Sequence, residues 1–244
     1  MIGIVLAAGE GRRLRPLTDD LPKTLLTVAG ERSILELALM NLREVDVVDV
    51  AVVTGHAAHQ IAAVAPRLER QLGVRLTLLA NERATVWNNA YSLWLARDAF
   101  NDGALLVNGD TVHPASVERR LLETPSAPAV LIAVDDVKAL GQEEMKVTYA
   151  DDGHLARIHK DIPPDQAKGE YIGVTRIKPA AAETLGKALE ATWGRDPALY
   201  YEDGFQQYVD WGEPIGVALI GQVDWVEVDD HRDLERARTV ICRS

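Results

Sequence analysis

Short apolar runs recur along the first half of the chain, and stretches with helical spacing separate them. The runs are rich in Val, Ile and Leu and do not alternate with polar residues, which is typical of strands buried on both faces of a parallel sheet. They predict strands at residues 2–7, 48–55, 74–81, 103–110 and 128–136. Helices are predicted at residues 33–45, 56–72 and 88–100, with Ser33 as the N-cap of the first.

The pattern of apolar runs separated by helices changes after residue 136. Two alternating runs joined by Ala-Asp-Asp-Gly predict a hairpin over residues 145–160, with Gly153 at a position that needs a positive φ. Further strands are predicted at residues 169–177, 213–221 and 224–228, and helices at 180–191, 203–211 and 231–240. The pattern favours a single domain: a doubly wound, mostly parallel, Rossmann-like α/β sheet with a small antiparallel C-terminal elaboration. Ligands of such sheets bind beyond the carboxyl ends of the strands.

Composition and charge exclude several classes of protein. The formal net charge is -11, which argues against a nucleic-acid partner, since phosphate backbones require surplus Lys and Arg. Cys242 is the only cysteine, so a disulfide framework and a cysteine zinc site are excluded. No apolar run reaches the roughly 18 residues of a membrane span, and the start has no basic region typical of a secretory signal. We expect a cytoplasmic enzyme without a membrane partner.

Positive charge gathers in the loop after the first strand, which reads AAGEGRRLRPL. Gly9 and Gly11 let the backbone approach a ligand closely and turn its N–H groups toward an anion, although a Gly-x-Gly after a strand is also an ordinary turn. The loop is not a Walker loop, because Gly-Lys-Ser/Thr is absent. It is not a dinucleotide fingerprint either, because position 14 is leucine where a small residue is needed.

The longer string from Leu6 to Gly30 reads LAAGEGRRLRPLT, a short gap, then PKTLLTVAG. It resembles the signature of nucleotidyltransferases that act on sugar phosphates and phospho-alcohols, LAAGxGxRLxPLT followed by PKxLLxVxG. The resemblance implies the fold of the nucleotide-diphospho-sugar transferases and a loop that holds the base and triphosphate of an NTP. The residues it assigns to nucleotide binding here are Leu6, Ala7, Ala8, Gly9 and Gly11. Arg13 and Lys23 are then the catalytic cations that pair with the triphosphate, whereas Arg12 and Arg15 fall at variable positions.

Two further segments extend the resemblance to a metal site. LLVNGDTV matches the family's strand that ends in Gly-Asp, and WVEVDDHRDLERA matches W-x-D-V-D-T-x-x-D-L-x-x-A. They imply that Asp110 and Asp229 bind Mg²⁺, which prefers hard oxygen ligands. Glu227 and Asp230 depart from the pattern, which has Asp and Thr there. Taken alone, Asp110 after an apolar strand is equally well a helix N-cap.

The middle segment NERATVWNNAYSLWLARD points to the nucleotide. It resembles cytidylyltransferases that act on phosphocholine, aminoalkylphosphonates or inositol phosphate, and lacks the Gln-Pro-rich stretch of glucose-1-phosphate enzymes. The residues that it offers for the base and ribose are Asn81, Asn88, Asn89 and Ser92. Amide groups both donate and accept, as a cytosine edge requires. Asn88 alternatively caps the helix that follows it.

The later part of the chain supplies candidates for the acceptor. Lys160, in HKD, matches the family's catalytic lysine that meets the acceptor phosphate, and Lys146 is either a second such lysine or an ordinary strand residue. GEYIGV, with Tyr171, resembles phosphocholine and phosphonate members. Aromatic residues and carboxylates also gather late in the chain, at Tyr200, Tyr201, Trp211, Trp225, Glu202 and Asp203. Such a group suits a cationic head, but Trp and Tyr also commonly pack in cores.

The sequence therefore predicts a Mg²⁺-dependent cytidylyltransferase. It transfers CMP from CTP to a small phospho-alcohol or phosphonate, with phosphocholine and 2-aminoethylphosphonate favoured, and releases pyrophosphate. The alternative is a sugar-1-phosphate or inositol-1-phosphate nucleotidyltransferase using CTP, UTP or dTTP, and a nucleotide-binding module without catalysis is the third hypothesis. Residues 1–125 would bind the nucleotide and residues 126–244 the acceptor. A homodimer is left open.

Overall fold

The computed structural model describes residues 1–124 and 126–241, so the single cysteine, Cys242, lies outside the described residues. Within these ranges the strands are β1 Ile2–Ala7, β2 Thr27–Ala29, β3 Arg32–Ser33, β4 Asp49–Thr54, β5 Arg75–Ala80, β6 Ala104–Asn108, β7 Thr111–Val112, β8 Val130–Asp135, β9 Lys146–Tyr149, β10 Leu155–His159, β11 Gly169–Ile177, β12 Ile215–Leu219 and β13 Val226–Glu227. The α-helices are α1 Ile34–Glu44, α2 Ala58–Leu72, α3 Asn89–Leu95, α4 Ser116–Leu122, α5 Ala182–Arg195, α6 Tyr201–Asp210 and α7 His231–Ile241.

A nine-stranded sheet organises the fold. Strands β5, β4, β1 and β6 lie side by side and run parallel. β11 then pairs antiparallel with β6, and beyond it the sheet continues through β8 with β12 and through β9 with β10. The expected α/β class, with a mostly parallel sheet and a smaller antiparallel C-terminal part, is confirmed.

Helices cover both faces of the sheet, which explains why its strands are apolar without alternation. Successive residues of β1 face opposite sides: Ile4 belongs to one core and Val5 to the other. Helices α3, α5 and α6 pack on the first face and α1, α2 and α4 on the second. Burial on both faces removes the period of two that a half-exposed strand would show.

A third, smaller core joins the two ends of the chain. Leu14 and Leu26 from the first loop pack with Val112 of β7, Val228 after β13 and Leu234 of α7. The antiparallel pairing of β13 with β7 adds backbone hydrogen bonds to this contact. This core places the basic N-terminal loop beside the acidic segment near residue 229.

Most predicted elements are observed, with shifts at their ends. Ser33 caps α1 through a capping box with Glu36, and Gly153 turns the predicted hairpin at φ 79°. The helix predicted to end at residue 100 ends at Leu95 and gives way to a 3₁₀ segment. The elements β2, β3, β7 and α4 are unpredicted, because two or three residues, or a single pair of helical turns, leave little periodic signal. No helix in the described part of the chain has both the length and the apolar character needed to cross a membrane.

Candidate active site

A cavity of about 290 Å³ opens at the carboxyl ends of β1 and β6. These neighbouring parallel strands are flanked by β4 on one side and by the antiparallel β11 on the other. Loops after β1, β5 and β6 supply one wall, and residues from β11, the hairpin and α6 supply the other. The cavity therefore lies where ligands are expected in a doubly wound sheet.

The first loop is shaped by Gly11, which adopts φ 62° ahead of a 3₁₀ turn over Arg12–Leu14. A Cβ at Gly11 would lie 3.1 Å from both Lys23 Cβ and Thr18 Cγ2, so the glycine is needed for conformation and for space. Leu6, Ala8 and Gly9 line the cavity. Ala7 instead packs in a core, and Gly11 supports the loop from outside the cavity wall, so these two depart from the expected ligand contacts.

The floor of the cavity is lined by Arg13, Asp110 and Asp229, and Lys23 pairs with both aspartates from just behind it. Lys23 Nζ donates to Asp110 Oδ2 at 2.8 Å and to Asp229 Oδ1 at 3.0 Å. Arg13 donates to Asp229 Oδ2 at 2.6 Å. Although burial opposes its charge, the Asp110 and Asp229 carboxylates raise the pKa of Lys23 above its ordinary value. Desolvation likewise opposes the charge of Asp229, but Lys23 and Arg13 outweigh it and lower the pKa of that carboxyl.

The floor also has the donor set of a divalent-cation site. Carboxylate oxygens of Asp110, Glu227 and Asp229 lie within 4.8 Å of one another. Asp110 Oδ1 is buried and finds no hydrogen-bond partner among the described residues. Partial desolvation and the nearby Asp110 and Asp229 charges raise the pKa of Glu227. Crowded hard oxygens, one of them unpartnered, fit Mg²⁺, and Glu227 is a third ligand candidate that the sequence pattern did not reveal.

We call the wall formed by the loops after β1, β5 and β6 the nucleotide-side wall, after the residues predicted to bind the nucleotide, and it contains three of the four polar residues in that prediction. Asn88, Asn89 and Ser92 line the cavity. Asn81 does not: it is 3% exposed, donates from Nδ2 to Ser92 Oγ at 2.9 Å and accepts the backbone N–H of Arg83. Both ends of the Asn81 amide are hydrogen-bonded to protein groups beneath the cavity surface. Asn81 thus holds Ser92 and the loop after β5 in place.

We call the opposite wall, formed by β11, the hairpin and α6, the acceptor-side wall, after the residues predicted to bind the acceptor, and it combines a lysine, two tyrosines and a buried carboxyl group. Lys160, Tyr171, Tyr200 and Glu202 line it, and Lys160 Nζ lies 5.2 Å from the centroid of the Tyr200 ring. Glu202 is 5% exposed, and its Oε2 is buried without a hydrogen-bond partner in the described ranges. Burial raises the pKa of Glu202 to about 8. A cationic group entering here would meet the unpartnered Oε2 of this acid.

Tyr201 supports this wall from within the core. It is 0% exposed, and its hydroxyl donates to Asn108 Oδ1 at 2.9 Å and lies 3.1 Å from the Tyr171 hydroxyl. Tyr171 in turn shares a 2.7 Å hydrogen bond with Thr175 Oγ1. The chain of hydroxyls fixes Tyr171 and Asn108, both of which face the cavity.

Besides Tyr201, which was also expected at the acceptor but lies in the core, three other residues predicted there lie outside the cavity wall. Lys146 is fully buried and donates to the backbone carbonyls of Gln142 and Glu144, so its charge holds the segment before β9. Trp225 packs in a core and donates from Nε1 to Asp135 Oδ2 at 2.7 Å. Trp211 follows α6, is 47% exposed and does not line the cavity. Core packing, the simpler reading of a late-chain tryptophan, holds for Trp225.

Several cavity residues were not singled out from the sequence. Trp87, Asn108, Glu143 and Met145 line the cavity. Trp87 directly precedes the Asn88-Asn89 pair, and Asn108 directly precedes Gly109-Asp110. Their neighbours in the motif were the available signal, but only the folded chain shows that their side chains face the same space.

Comparison with known proteins identifies the family of this chain. A family model described as nucleotidyl transferase matches residues 2–138. CMP-5'-(3-aminopropyl)phosphonate synthase of Streptomyces rubellomurinus (strain ATCC 31215) is 35% identical over 245 residues, which cover 96% of this chain and 38% of that protein. Choline-phosphate cytidylyltransferase of Streptococcus pneumoniae (strain ATCC BAA-255 / R6) is 35% identical over 98 residues, 40% of each chain. The matches thus span about two fifths of the length of these curated relatives.

The fold also has close counterparts among solved structures. The inositol-1-phosphate CTP transferase from T. maritima superposes with a TM-score of 0.84 over 99% of this chain and 95% of that one. Its sequence identity is 22%, so this likeness concerns the fold alone.

Proposed function

This chain belongs to the nucleotidyl transferase family, and we propose that it transfers CMP from CTP to a phosphate or phosphonate oxygen of a small acceptor, releasing pyrophosphate. The observation that carries the proposal is the cavity floor, where Arg13 and Lys23 converge with Asp110 and Asp229. Cations that bind a triphosphate and acids that bind a metal are both needed to bring two anionic substrates together. A pure nucleotide-binding module would need no such acidic group.

The basic residues act first on the nucleotide. Lys23 and Arg13 are paired with carboxylates of the chain itself. We infer that triphosphate oxygens replace part of these pairings, so that both cations donate to the leaving pyrophosphate. The acceptor oxygen forms a bond to the α-phosphorus, and the bond from that phosphorus to the β-bridging oxygen breaks, its electron pair leaving with pyrophosphate. The acceptor oxyanion is already charged near neutral pH, so no general base is required.

Mg²⁺ is part of the proposal. Asp110, Asp229 and Glu227 are the residues that would hold it, supported by their clustered oxygens and the unpartnered Oδ1 of Asp110. When bound, the ion supplies positive charge that neutralises phosphate oxygens. Lys23 remains between the two aspartates as the chain's own counter-charge.

The acceptor-side wall supports an acceptor with an anionic and a cationic end. Lys160 faces the cavity and suits the phosphate or phosphonate. On the same wall, Tyr200 offers an aromatic face and the buried Glu202 an unpartnered Oε2 to an ammonium group. We therefore favour phosphocholine or an aminoalkylphosphonate such as 2-aminoethylphosphonate. The names of two relatives, an aminopropylphosphonate synthase and a choline-phosphate cytidylyltransferase, support the same substrate class.

A pyrophosphate-release assay tests the proposal. Each of CTP, UTP, dTTP and ATP is combined with phosphocholine, 2-aminoethylphosphonate, 3-aminopropylphosphonate, inositol-1-phosphate and glucose-1-phosphate, with Mg²⁺ present. We expect release with CTP and an acceptor that carries an ammonium group.

Other outcomes of the panel contradict the proposal in distinct ways. Preference for glucose-1-phosphate or inositol-1-phosphate would identify a sugar or cyclitol phosphate nucleotidyltransferase. Tight nucleotide binding with no pyrophosphate from any pair would identify a module without catalysis. Equal rates with and without EDTA would remove the metal from the proposal while leaving the transfer itself in place.

A further inference from the structure

The two walls of the cavity are joined by hydrogen bonds from a pair of asparagines. Asn88 and Asn89 begin α3 on the nucleotide side. Opposite them, residues 196–200 connect α5 to α6 and carry Tyr200 at the acceptor side. The two segments are more than a hundred residues apart in sequence, yet they touch along their backbones.

Asn88 makes both a local and a long-range contact. Its Oδ1 accepts the backbone N–H of Asn89 at 2.8 Å and so caps α3. Its Nδ2 donates to the carbonyl of Ala198 at 2.9 Å, and its backbone N–H donates to the carbonyl of Pro197 at 2.8 Å. The side chain is thus engaged at both ends by protein groups.

Asn89 makes the complementary contact to α6. Its Oδ1 accepts the backbone N–H of Tyr201 at 2.9 Å. Tyr201 is the first residue of α6, and N–H groups in the first turn of a helix have no acceptor within the helix. Asn89 therefore supplies the hydrogen-bond acceptor that the first turn of α6 lacks.

The residues next to these hydrogen bonds line the part of the cavity that we assign to the acceptor substrate. Tyr200 and Glu202 flank Tyr201 in sequence, and both line the cavity. The backbone of Tyr200 is further held by Asp203 Oδ2 at 2.8 Å. A shift of the 196–200 segment would therefore move the aromatic face and the buried acid that we assign to the acceptor.

We propose that Asn88 and Asn89 are positioning residues that set the acceptor-side wall from the nucleotide side, through their hydrogen bonds to Ala198 and Tyr201. The inference rests on the proposed function and departs from the expectation that these amides read the cytosine base. Their effect on catalysis comes through Tyr200 and Glu202, which contact the acceptor. Loss of either amide contact loosens acceptor binding and leaves CTP binding intact.

Two substitutions that introduce no charge test this inference. Asn88→Ser keeps a side-chain oxygen that caps α3 but cannot reach Ala198, and Asn89→Ala removes the acceptor of the Tyr201 N–H. Asn101→Ser is the matched control, since Asn101 is exposed and its Nδ2 donates to the carbonyl of Asp98 within its own turn. Circular dichroism and thermal unfolding establish that each variant is folded.

Steady-state kinetics separate the two roles. We expect the KM for the acceptor to rise about fivefold to tenfold in Asn88→Ser and in Asn89→Ala, the loss of one hydrogen bond, while the KM for CTP changes less than about twofold. A rise confined to the KM for CTP, or an equal rise in both constants, overturns the inference in favour of direct nucleotide contact. Unchanged constants overturn it as well.

Hydrogen exchange tests the same contacts without any substrate. In the ligand-free protein we expect the Tyr201 amide to exchange faster in Asn89→Ala and in Asn88→Ser than in wild type, and at the wild-type rate in Asn101→Ser. Unchanged exchange overturns the inference even if the enzyme is active. If wild type releases no pyrophosphate with any substrate pair, the proposed function fails, and the exchange experiment still decides whether the asparagines hold the wall.

Discussion

At the scale of single residues, the charges at the cavity floor are paired with one another. Lys23 is hydrogen-bonded to Asp110 and Asp229 at once, and Arg13 pairs with Asp229. Without these cations, two close carboxylates would repel each other in a partly buried site. A substrate or a metal can replace these ion pairs, which is how an overall acidic protein could hold the local triphosphate site that we propose.

Asp110→Asn tests the carboxylate on the floor. An amide oxygen still accepts from Lys23, so the fold should persist, but the negative oxygen proposed for the metal is lost. We expect kcat to fall by about 10²–10³-fold, the size of effect seen when one electrostatic group of an active site is removed. Pyrophosphate release measures it, with Asp151→Asn in the exposed hairpin turn as control. Near-normal turnover would exclude Asp110 from the chemistry.

Glu202→Gln tests the buried acid through stability. Because burial raises the pKa of Glu202 to about 8 from 4.5, the folded state retains a proton that the unfolded state releases. Wild-type stability therefore falls as pH rises from about 4.5 to about 8, and glutamine removes that loss. The Tm of Glu202→Gln relative to wild type should thus be higher at about pH 8.5 than at about pH 5. A constant difference would contradict the burial of this acid.

At the scale of elements, the junction between β6 and β7 has no room for a side chain. Gly109 donates its N–H to the carbonyl of Leu6 at 3.0 Å. A Cβ built on it would lie 2.3 Å from Leu6 O and 2.6 Å from Thr24 Cγ2. This close approach of β6 to β1 places Asp110 directly beside the basic loop.

Gly109→Ala is expected to destabilise the protein by about 1–3 kcal/mol, as overpacking does when a backbone atom cannot yield. Gly9→Ala is the matched control, because a Cβ there meets nothing within 4 Å and Gly9 has no positive φ. Gly9 lines the cavity, so its variant should keep the stability of wild type and affect nucleotide binding only. Urea unfolding of both variants measures the difference, and equal stabilities would contradict the close contact.

At the scale of the whole molecule, the site is assembled from both ends of the chain. The small core of Leu14, Val112, Val228 and Leu234 joins the first loop, β7, the segment after β13 and α7. It thereby brings Asp229 to Arg13, 216 positions away in sequence. Binding of a ligand across this junction should stabilise the fold as a unit.

Thermal unfolding tests that coupling. With CTP at about 100 times its Kd and with Mg²⁺ present, linkage gives about 2.7 kcal/mol of added stability. For a chain of this size that corresponds to a rise in Tm of about 5–10 °C. EDTA should remove most of the rise if the proposed metal is required. An equal rise with EDTA would show that the nucleotide binds through the basic residues alone.

Much of the architecture could be predicted from the sequence, because it depends on the local pattern of residues. Buried strands, the Ser33 cap and the Gly153 turn all follow from neighbouring residues. The family and its fold were readable from the string between Leu6 and Gly30. The single-domain organisation, the cytoplasmic location and the homodimer stay predictions.

The direction in which a side chain points could not be predicted from the sequence. Lys146 and Trp225 have side chains of the type that would bind the acceptor substrate, but both point into the protein. Lys146 donates to backbone carbonyls close to it in sequence, and Trp225 donates to the distant Asp135. Glu227 departed from the family pattern, yet the pairing of β13 with β7 places it with Asp110 and Asp229.

The sequence by itself determined the elements, the sheet class and the family, because these depend on periodicity and on contiguous motifs. Only the tertiary structure decided which amides face the cavity and which bond across it, as Asn81, Asn88 and Asn89 show. The physical reason is that a side chain's partners come from the packing of distant segments, and one residue type satisfies its hydrogen bonds equally well toward a ligand or toward the chain.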